Sequence, residues 1–579
     1  MKTLKTIGRM ALVALGLVLA CPALAQDEDL EAKFANREAK DPAPSDGTAW
    51  QGVKNLMLGW GSTDVRYSRS AVPAEKLAAT VRLHAWRGER VSAQAVIVTP
   101  EKLAYSVQVS DLRKGSDVIP SSAVKTYEVG YVLGDCDMTH KDSMLVADPL
   151  HPMENKTSFA PAQTTRPLWI DVRVPQSAKA GKYKGTLTVK YKDGSKSLPF
   201  TVDVVNRVLP EPKDWAFHLD LWQNPYSVAR YFNVPLWSKE HFDRMRPVMT
   251  RLAEAGQKVI TCSVIQHPWN SQTYDPFESM IVKMKQLDGS WKYDYSVFDR
   301  WVEFMMSCGI TEQIDCYSIV PWHYKFEYFD VASSTVKYVA SKPGEKDYEA
   351  FLLPFLKDFA AHLKQKGWFD RTCIAMDERP MKQLQAAYDL VKKADPNYRV
   401  AGAFNYDPAV VSFVYDVSVG YRYKLFEGPS LQQRMDKGQR TTFYTCCSPD
   451  RPNTFTFSPP AESAYLGWHS YAVGYNGYLR WAYNSWVKNP YYDTRYPARD
   501  WASGDCFLVY PEGSSIRFER LVEGIQQYEK LRILEAGATP KMKQAIKQLL
   551  KPLSANKMPA DVDINKMMNT AKAGLQKLE

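Results

Sequence analysis

After residue 213 the sequence takes on a rhythm that restricts its fold more than any other feature. Short apolar runs alternate with longer amphipathic ones. Strand-like runs fall at 216–222, 258–264, 313–320, 372–377, 399–404, 416–421, 441–447 and 478–483. Helical runs at 239–255, 295–308, 348–366 and 381–394 lie between several of them. Parallel strands need a crossover, usually a helix, to carry the chain back to the same end. Eight strands threaded with helices over about 300 residues therefore predict a (β/α)₈ barrel of the TIM type. Residues 504–510 form a ninth strand candidate. The barrel is expected over 213–514, with C-terminal helices over 515–579.

Upstream, from 51 to 208, alternating runs at 91–99, 105–109, 168–174, 183–189 and 200–205 are divided by turns such as Lys192-Asp193-Gly194 and Ala180-Gly181. Short strands with frequent turns and no long helix predict an antiparallel β-sandwich over 51–208. Val208-Leu209-Pro210-Glu211-Pro212 reads as a linker. The expected fold is thus multidomain, a sandwich followed by a barrel and a helical tail. Residues 26–50 are polar and read as a flexible leader. Lys2, Lys5 and Arg9, the apolar run 11–20 and Ala23-Leu24-Ala25 read as a secretory signal over 1–25, cleaved before Gln26. Lipid attachment at Cys21 is the alternative, and Val18 and Pro22 suit it poorly. The expected location is periplasmic or secreted. No later run approaches the roughly 18 apolar residues of a membrane span, so no integral membrane segment is expected.

The net charge of +10 falls to +7 when the three cations of the signal are removed. The last 40 residues hold eight lysines. They are interleaved with apolar residues at helical spacing, so they read as a solvated helix face and not as a nucleic-acid surface. The nine cysteines show no CxxC or Cys/His ligand spacing, and neither a metal nor another cofactor is expected. Cys262, Cys316, Cys373 and Cys506 lie in apolar runs as buried small hydrophobes. Cys446 and Cys447 are neighbours whose mutual disulfide would be strained. Sixteen Trp and 33 Tyr suit either a large core or stacking against the C–H faces of sugars.

Active sites of such barrels lie at the C-terminal ends of the strands. The candidate ends carry Trp222, then His267, then Trp322 and His323, then Asp377-Glu378, then Asn405, Tyr444, and finally Trp481 and Asn484. One rim would gather acids, amides, two histidines and several large aromatics, as a sugar site requires. Asp377 and Glu378 follow the apolar run Cys373-Ile374-Ala375-Met376, where two charges are costly unless they are paired or used. A salt bridge to Arg379 or Arg371 is the structural alternative.

Adjacency shapes the chemistry. Retaining enzymes with a protein nucleophile face two carboxyls about 5–5.5 Å apart across the bond, and inverting ones about 6.5–9.5 Å. Consecutive residues have α-carbons about 3.8 Å apart and sit more naturally side by side. A side-by-side pair suits a 2-acetamido sugar, whose own carbonyl oxygen attacks C1 to form an oxazoline. Glu378 would then be the acid and base. Asp377 would hold the acetamide N–H, with Tyr444 a candidate donor to the acetamide oxygen.

The chain resembles glycoside hydrolase family 123. The likeness is carried by Asp377-Glu378, Gly88-Glu89-Arg90-Val91-Ser92-Ala93-Gln94, Gly477-Tyr478-Leu479-Arg480-Trp481, Gly504-Asp505, Tyr510-Pro511, Arg517-Phe518-Glu519 and Gly524-Ile525-Gln526-Gln527-Tyr528-Glu529. It covers nearly the whole mature chain, and Gln526-Gln527 departs from the more charged residues expected there. The resemblance implies an exo-acting β-N-acetylgalactosaminidase that uses substrate-assisted retention. It also implies terminal β-linked GalNAc on glycosphingolipid-type glycans as substrate, Glu378 as acid/base and Asp377 as the residue orienting the acetamide. β-GlcNAc as the sugar and a non-catalytic glycan-binding protein remain the alternatives. The residues leave oligomeric state open.

Overall fold

A computed structural model of the chain describes residues 30–34, 37–43, 47–154, 156–270, 272–404, 414–423, 427–497 and 500–579. The expected signal and its cleavage position lie outside the described residues, as does Asn405.

The N-terminal part is a pair of packed sheets. One runs Met57–Gly61, Arg90–Thr99, Thr164–Arg173, Val124–Asp135, Ser143–Pro152 and finally Ser514–Ser515, which arrives from beyond the barrel. The other runs Val81–Arg87, Gly194–Val208, Gly181–Tyr191, Leu103–Val109 and Thr157–Ala160, with a small hairpin at its side. Pairing is antiparallel except between Val81–Arg87 and Gly194–Val208. Strand Gly181–Tyr191 shows the cause of the layering. Tyr183, Gly185, Leu187 and Val189 are buried and the residues between them are not, so a period of two turns one face toward the opposite sheet. Within the stretch expected as a flexible leader, Phe34, Ala39 and Trp50 are buried. Glu38 there accepts from both terminal nitrogens of buried Arg166 at 2.6 and 3.0 Å.

The eight barrel strands are His218–Leu221, Val259–Ser263, Gln313–Tyr317, Thr372–Met376, Arg399–Phe404, Asp416–Gly420, Arg440–Tyr444 and Gly477–Arg480. Each lies within a residue of its expected start or well inside the expected run. Consecutive strands pair in parallel from the second to the eighth, and the eighth pairs with the first. Strands two, three, four and six are buried at every position, as a parallel sheet covered on both faces must be.

Between strands one and two the ladder opens, and side-chain amides cross the gap. Gln257 accepts from the Leu221 N–H at 3.0 Å and donates to the Val259 carbonyl at 2.7 Å. Gln223 accepts from the Thr261 N–H at 2.9 Å and donates to the Val259 carbonyl at 3.2 Å. Backbone groups that would be orphaned inside the barrel wall are thereby satisfied.

Two features differ from expectation. Residues 504–510 are buried but join no ladder, with one bridge between Phe507 and Asn484. Side chains serve their carbonyls instead. Arg517 donates to those of Gly504 and Phe507, Trp486 to that of Val509 and Ser515 to that of Leu508. The second feature is a four-stranded sheet made of Val282–Lys285, Trp291–Asp294, Lys325–Asp330 and Thr335–Ala340, inserted after barrel strands two and three. Trp291 and Tyr293 pack from it onto Phe351 and Phe355 of helix Lys346–Gln365. Only one of its faces is covered, so its hydrophobic signal is half that of a barrel strand.

The helical tail comprises Ile516–Ala536, Pro540–Leu550 and Ile564–Gln576. Helix Ile516–Ala536 lies against Pro460–Val473 with glycine on glycine. A Cβ on Gly467 would stand 2.2 Å from the Gly524 carbonyl oxygen, and one on Gly524 would stand 2.2 Å from that of Ala464. The amides Gln526 and Gln527 both have work here. Gln526 bonds the N–H and carbonyl of Arg90 in the sandwich, and Gln527 accepts from the Trp468 indole. Gly524→Ala is therefore expected to destabilise the fold by about 1–3 kcal/mol through overpacking, although alanine favours helices. A lowered thermal midpoint checks it, and an unchanged or raised one would contradict the close approach.

Candidate active site

Barrel strand four ends at Met376, and the next two residues present Asp377 and Glu378 to a pocket of about 170 Å³. Trp222, Trp322, Tyr444 and Trp481 line it with them, as do Gln272, Ala403, Cys446, Cys447, Leu479 and Trp501.

Two N–H groups hold the Asp377 carboxylate. The Trp322 indole donates to Oδ2 at 3.1 Å and the Glu378 backbone donates to Oδ1 at 2.8 Å. Burial nevertheless dominates and pushes the Asp377 carboxyl up to about 6, with the neighbouring Glu378 charge adding to the rise. The two N–H donors and Arg379 oppose it. The Arg379 guanidinium lies 4.8 Å from the Trp322 ring and 4.7 Å from that of Tyr324, so cation–π contact fixes the cation behind the pair. The salt bridge considered for Arg379 is absent among the described ion pairs. Glu378 Oε1 accepts from the Tyr444 hydroxyl. Burial raises the Tyr444 phenol, and the charge of Glu378 raises it further.

The walls are aromatic and anchored. Trp222 stacks on Trp269 at 5.0 Å and meets Tyr317 at 4.5 Å. Trp481 lies 5.4 Å from Trp501 and donates to Asp505 at 3.0 Å. That same Asp505 oxygen accepts from Arg480 at 2.7 Å, with both side chains fully buried. Arg480 donates onward to Asn453 Oδ1 at 2.9 Å. Trp481 is thus set by a buried ion pair, and its Asp505 carboxyl is raised by burial even with Arg480 beside it.

Below the pocket the barrel interior holds Asp220, Asp315 and Asp416. Burial and the Asp416 charge keep Asp220 well above the usual carboxylate range, and burial with both neighbouring charges does the same to Asp315. Burial opposes charge on Asp416 as well, but His218 at 2.7 Å and Arg440 hold it low. These opposite directions follow from burial and mutual repulsion, which oppose joint ionisation of neighbouring buried acids. None of the three carries an expected role, since Asp220 and Asp315 sit within their strands and Asp416 opens its strand at the end away from the rim.

The rim thus collects Asp377, Glu378, Trp222, Trp322, Tyr444 and Trp481 as expected. It does not bring His267, His323 or Asn484 into the lining. Asn484 is buried and links strand ends, accepting from the Asn224 N–H at 2.9 Å and donating to the Asn224 carbonyl at 2.8 Å. His323 receives the Lys325 N–H at 2.9 Å and lies 6.5 Å from His267. Trp501 and Gln272 were missed because they lie on loops without periodicity. They meet in space, with the Trp501 indole donating to the Gln272 carbonyl at 2.9 Å. Among the described residues no group of three His, Cys, Asp or Glu is placed to hold a metal ion.

Comparison with known proteins supplies the context. The profile of the glycoside hydrolase 123 catalytic domain matches residues 222–534, and that of the glycoside hydrolase 123 N-terminal domain matches 60–191. A solved family 123 glycoside hydrolase from Clostridium perfringens, studied for glycolipid glycan hydrolysis, is 26% identical. The match covers 91% of this chain and 98% of that one at a TM-score of 0.82. A Thermobacillus composti GH10 xylanase at 11% identity covers 53% of this chain and 97% of its own, but its TM-score of 0.30 carries no argument. No curated protein matches the chain.

Asp377 has a further consequence for stability. A carboxyl raised in the folded state stabilises the fold while protonated, and that contribution is lost as pH rises through about 6. Asp377→Asn stays neutral throughout. It is expected to raise the thermal midpoint relative to wild type above about pH 6 and to lose that advantage below it. A constant difference across the range would show that burial does not set the Asp377 carboxyl.

Proposed function

The chain belongs to glycoside hydrolase family 123, and on that premise we propose that it is an exo-acting, retaining β-N-acetylgalactosaminidase working through its substrate's own acetamide. The observation that carries this reading is the unequal tethering of two adjacent acids. Asp377 is held by an indole and a backbone N–H, and Glu378 by a phenol, on one aromatic-walled pocket.

In its ionised form Asp377 accepts the N–H of the 2-acetamido group and turns the carbonyl oxygen toward C1. Glu378 donates a proton to the glycosidic oxygen as the C1–O bond breaks. The acetamide oxygen bonds to C1, giving an oxazoline, and the positive charge on its nitrogen lies against Asp377. Water then attacks C1, Glu378 takes its proton, and the bond from C1 to the acetamide oxygen reopens. Two inversions give net retention. Trp222, Trp322 and Trp481 supply flat apolar faces for the sugar ring. The glycolipid glycan hydrolysis studied in the Clostridium perfringens relative supports glycolipid glycans as the substrate class, and the acetamide-handling acid pair carries the choice of a terminal β-GalNAc. Removal of residues 1–25 on export would put the enzyme where such glycans are met.

The direct test assays nitrophenyl β-GalNAc and β-GlcNAc glycosides side by side. Release from the GalNAc compound is expected to dominate, and equal or inverted rates would reassign the sugar. Glu378→Gln should lower kcat by about 10²–10⁴-fold for an aglycone that needs protonation. Wild-type rates in that variant would remove Glu378 from the mechanism. Because Asp377 must be ionised, kcat/KM should rise with pH on an acid limb centred near 6. A flat profile through that region would separate Asp377 from the chemistry.

A further inference from the structure

Cys446 and Cys447 follow Tyr444 with Thr445 between, and both line the pocket that holds Asp377 and Glu378. Their sulfurs are 3.8 Å apart. Cys447 is exposed and Cys446 partly so, whereas Cys262, Cys308, Cys316, Cys373 and Cys506 are buried. Cys446 also packs with the aromatic floor formed by Trp222, Tyr317 and Tyr444. The backbone on both sides of it is fastened, since Arg480 donates to the Thr445 carbonyl at 3.3 Å and Asn453 to the Cys446 carbonyl at 2.8 Å.

We propose that Cys446 and Cys447 form a thiol–disulfide switch in the pocket wall, oxidised by small disulfides, that shuts the sugar site when closed. The more exposed Cys447, as its thiolate, attacks one sulfur of a small disulfide such as oxidised glutathione, and one thiol leaves. The Cys446 sulfur then attacks Cys447 Sγ, the intramolecular S–S bond forms and the second thiol leaves. Two electrons and two protons pass from the pair to the disulfide, which becomes two thiols. Mutual hydrogen bonding of the thiols favours this order, lowering Cys447 and raising Cys446.

Adjacent α-carbons are about 3.8 Å apart, below the usual 4.4–6.8 Å of a bridged pair, so the product is strained and easily reduced. That property suits a reversible switch better than a structural staple. With the Thr445 and Cys446 carbonyls held, ring closure must turn the Cys446 side chain out of the aromatic floor and shift Cys447. Tyr444, two residues away on the same strand end, carries the hydrogen bond to Glu378. Closure therefore reaches the acid/base itself. The loss of turnover rests on the function proposed above; the chemistry of the pair does not.

The test treats the full-length protein with oxidised glutathione, then maps disulfides by peptide mass and follows tryptophan emission and glycoside release. The Cys446–Cys447 peptide is expected to lose two hydrogen masses. Treated activity should fall about 10²-fold against untreated, as small displacements at a reacting centre can cause, and dithiothreitol should restore it. Tryptophan emission should shift on oxidation in wild type. Cys447→Ser, compared with its own untreated sample, should show neither the loss nor the shift, whereas Cys446→Ser, which lacks the resolving thiol, should stop at a glutathione adduct on Cys447 that the peptide mass reads. A pair that stays reduced in excess oxidised glutathione overturns the switch, as does an oxidised pair with unchanged activity and emission. If the reduced enzyme releases sugar from neither glycoside, the functional reading fails, and the emission shift alone then decides whether the pair remodels the pocket.

Discussion

Everything at the pocket depends on the parallel ladder closing into a ring. Eight strands running the same way bring eight C-terminal ends to one rim, and only a closed ring makes those ends face each other. Closure is not complete in backbone terms. Strands one and two part, and Gln223 and Gln257 replace the missing ladder with their own amides. An amide carries both donor and acceptor, so it can stand in for a peptide group where an aliphatic side chain would leave buried N–H and carbonyl groups unpaired. Trp222 stands just beyond this join and forms one wall of the pocket.

The sandwich and tail are tied into the barrel by buried charge. Asp148 of the sandwich accepts from Arg517 at 3.0 Å, from the Tyr510 hydroxyl at 2.8 Å and from Arg66 at 3.1 Å. Arg517 also donates to the carbonyls of Thr454, Gly504 and Phe507. A guanidinium has five donors in a rigid fork, which is why one arginine can order several loop carbonyls together. Those loops follow strands seven and eight, and they carry Asp505, the anchor of Trp481. Docking of the sandwich and tail thus reaches the pocket through a short chain of hydrogen bonds.

The central contrast of the site lies between its two acids. Both follow the same buried strand, yet one is held by nitrogen donors and pushed up by burial, and the other is met by a phenol. Residues with such different partners do different work, and adjacency alone had already argued against two carboxyls facing each other across a bond. The cysteine pair stands in the same wall, directly after Thr445 and close in sequence to the tyrosine that touches Glu378.

Much of this was legible in the sequence. The eight barrel strands, the acids after Met376, and the tryptophans at strand ends followed from periodicity and from the rule that barrel sites sit at strand C-termini. Periodicity is a local property, so a single chain displays it. The lining by Trp501 and Gln272 was not legible, because loop residues meet through long-range packing that leaves no pattern. Asn484 and His323 sat at the right sequence positions but turned to backbone partners, since a strand end supplies unpaired peptide groups that compete for polar side chains. The inserted sheet escaped because only one of its faces is covered, and residues 504–510 resembled a strand because burial, not pairing, makes them apolar. The sequence by itself determined the barrel and the acid pair, which depend on local pattern and covalent adjacency. Only the tertiary structure decided which side chains share the pocket, because that depends on distances between segments far apart in the chain.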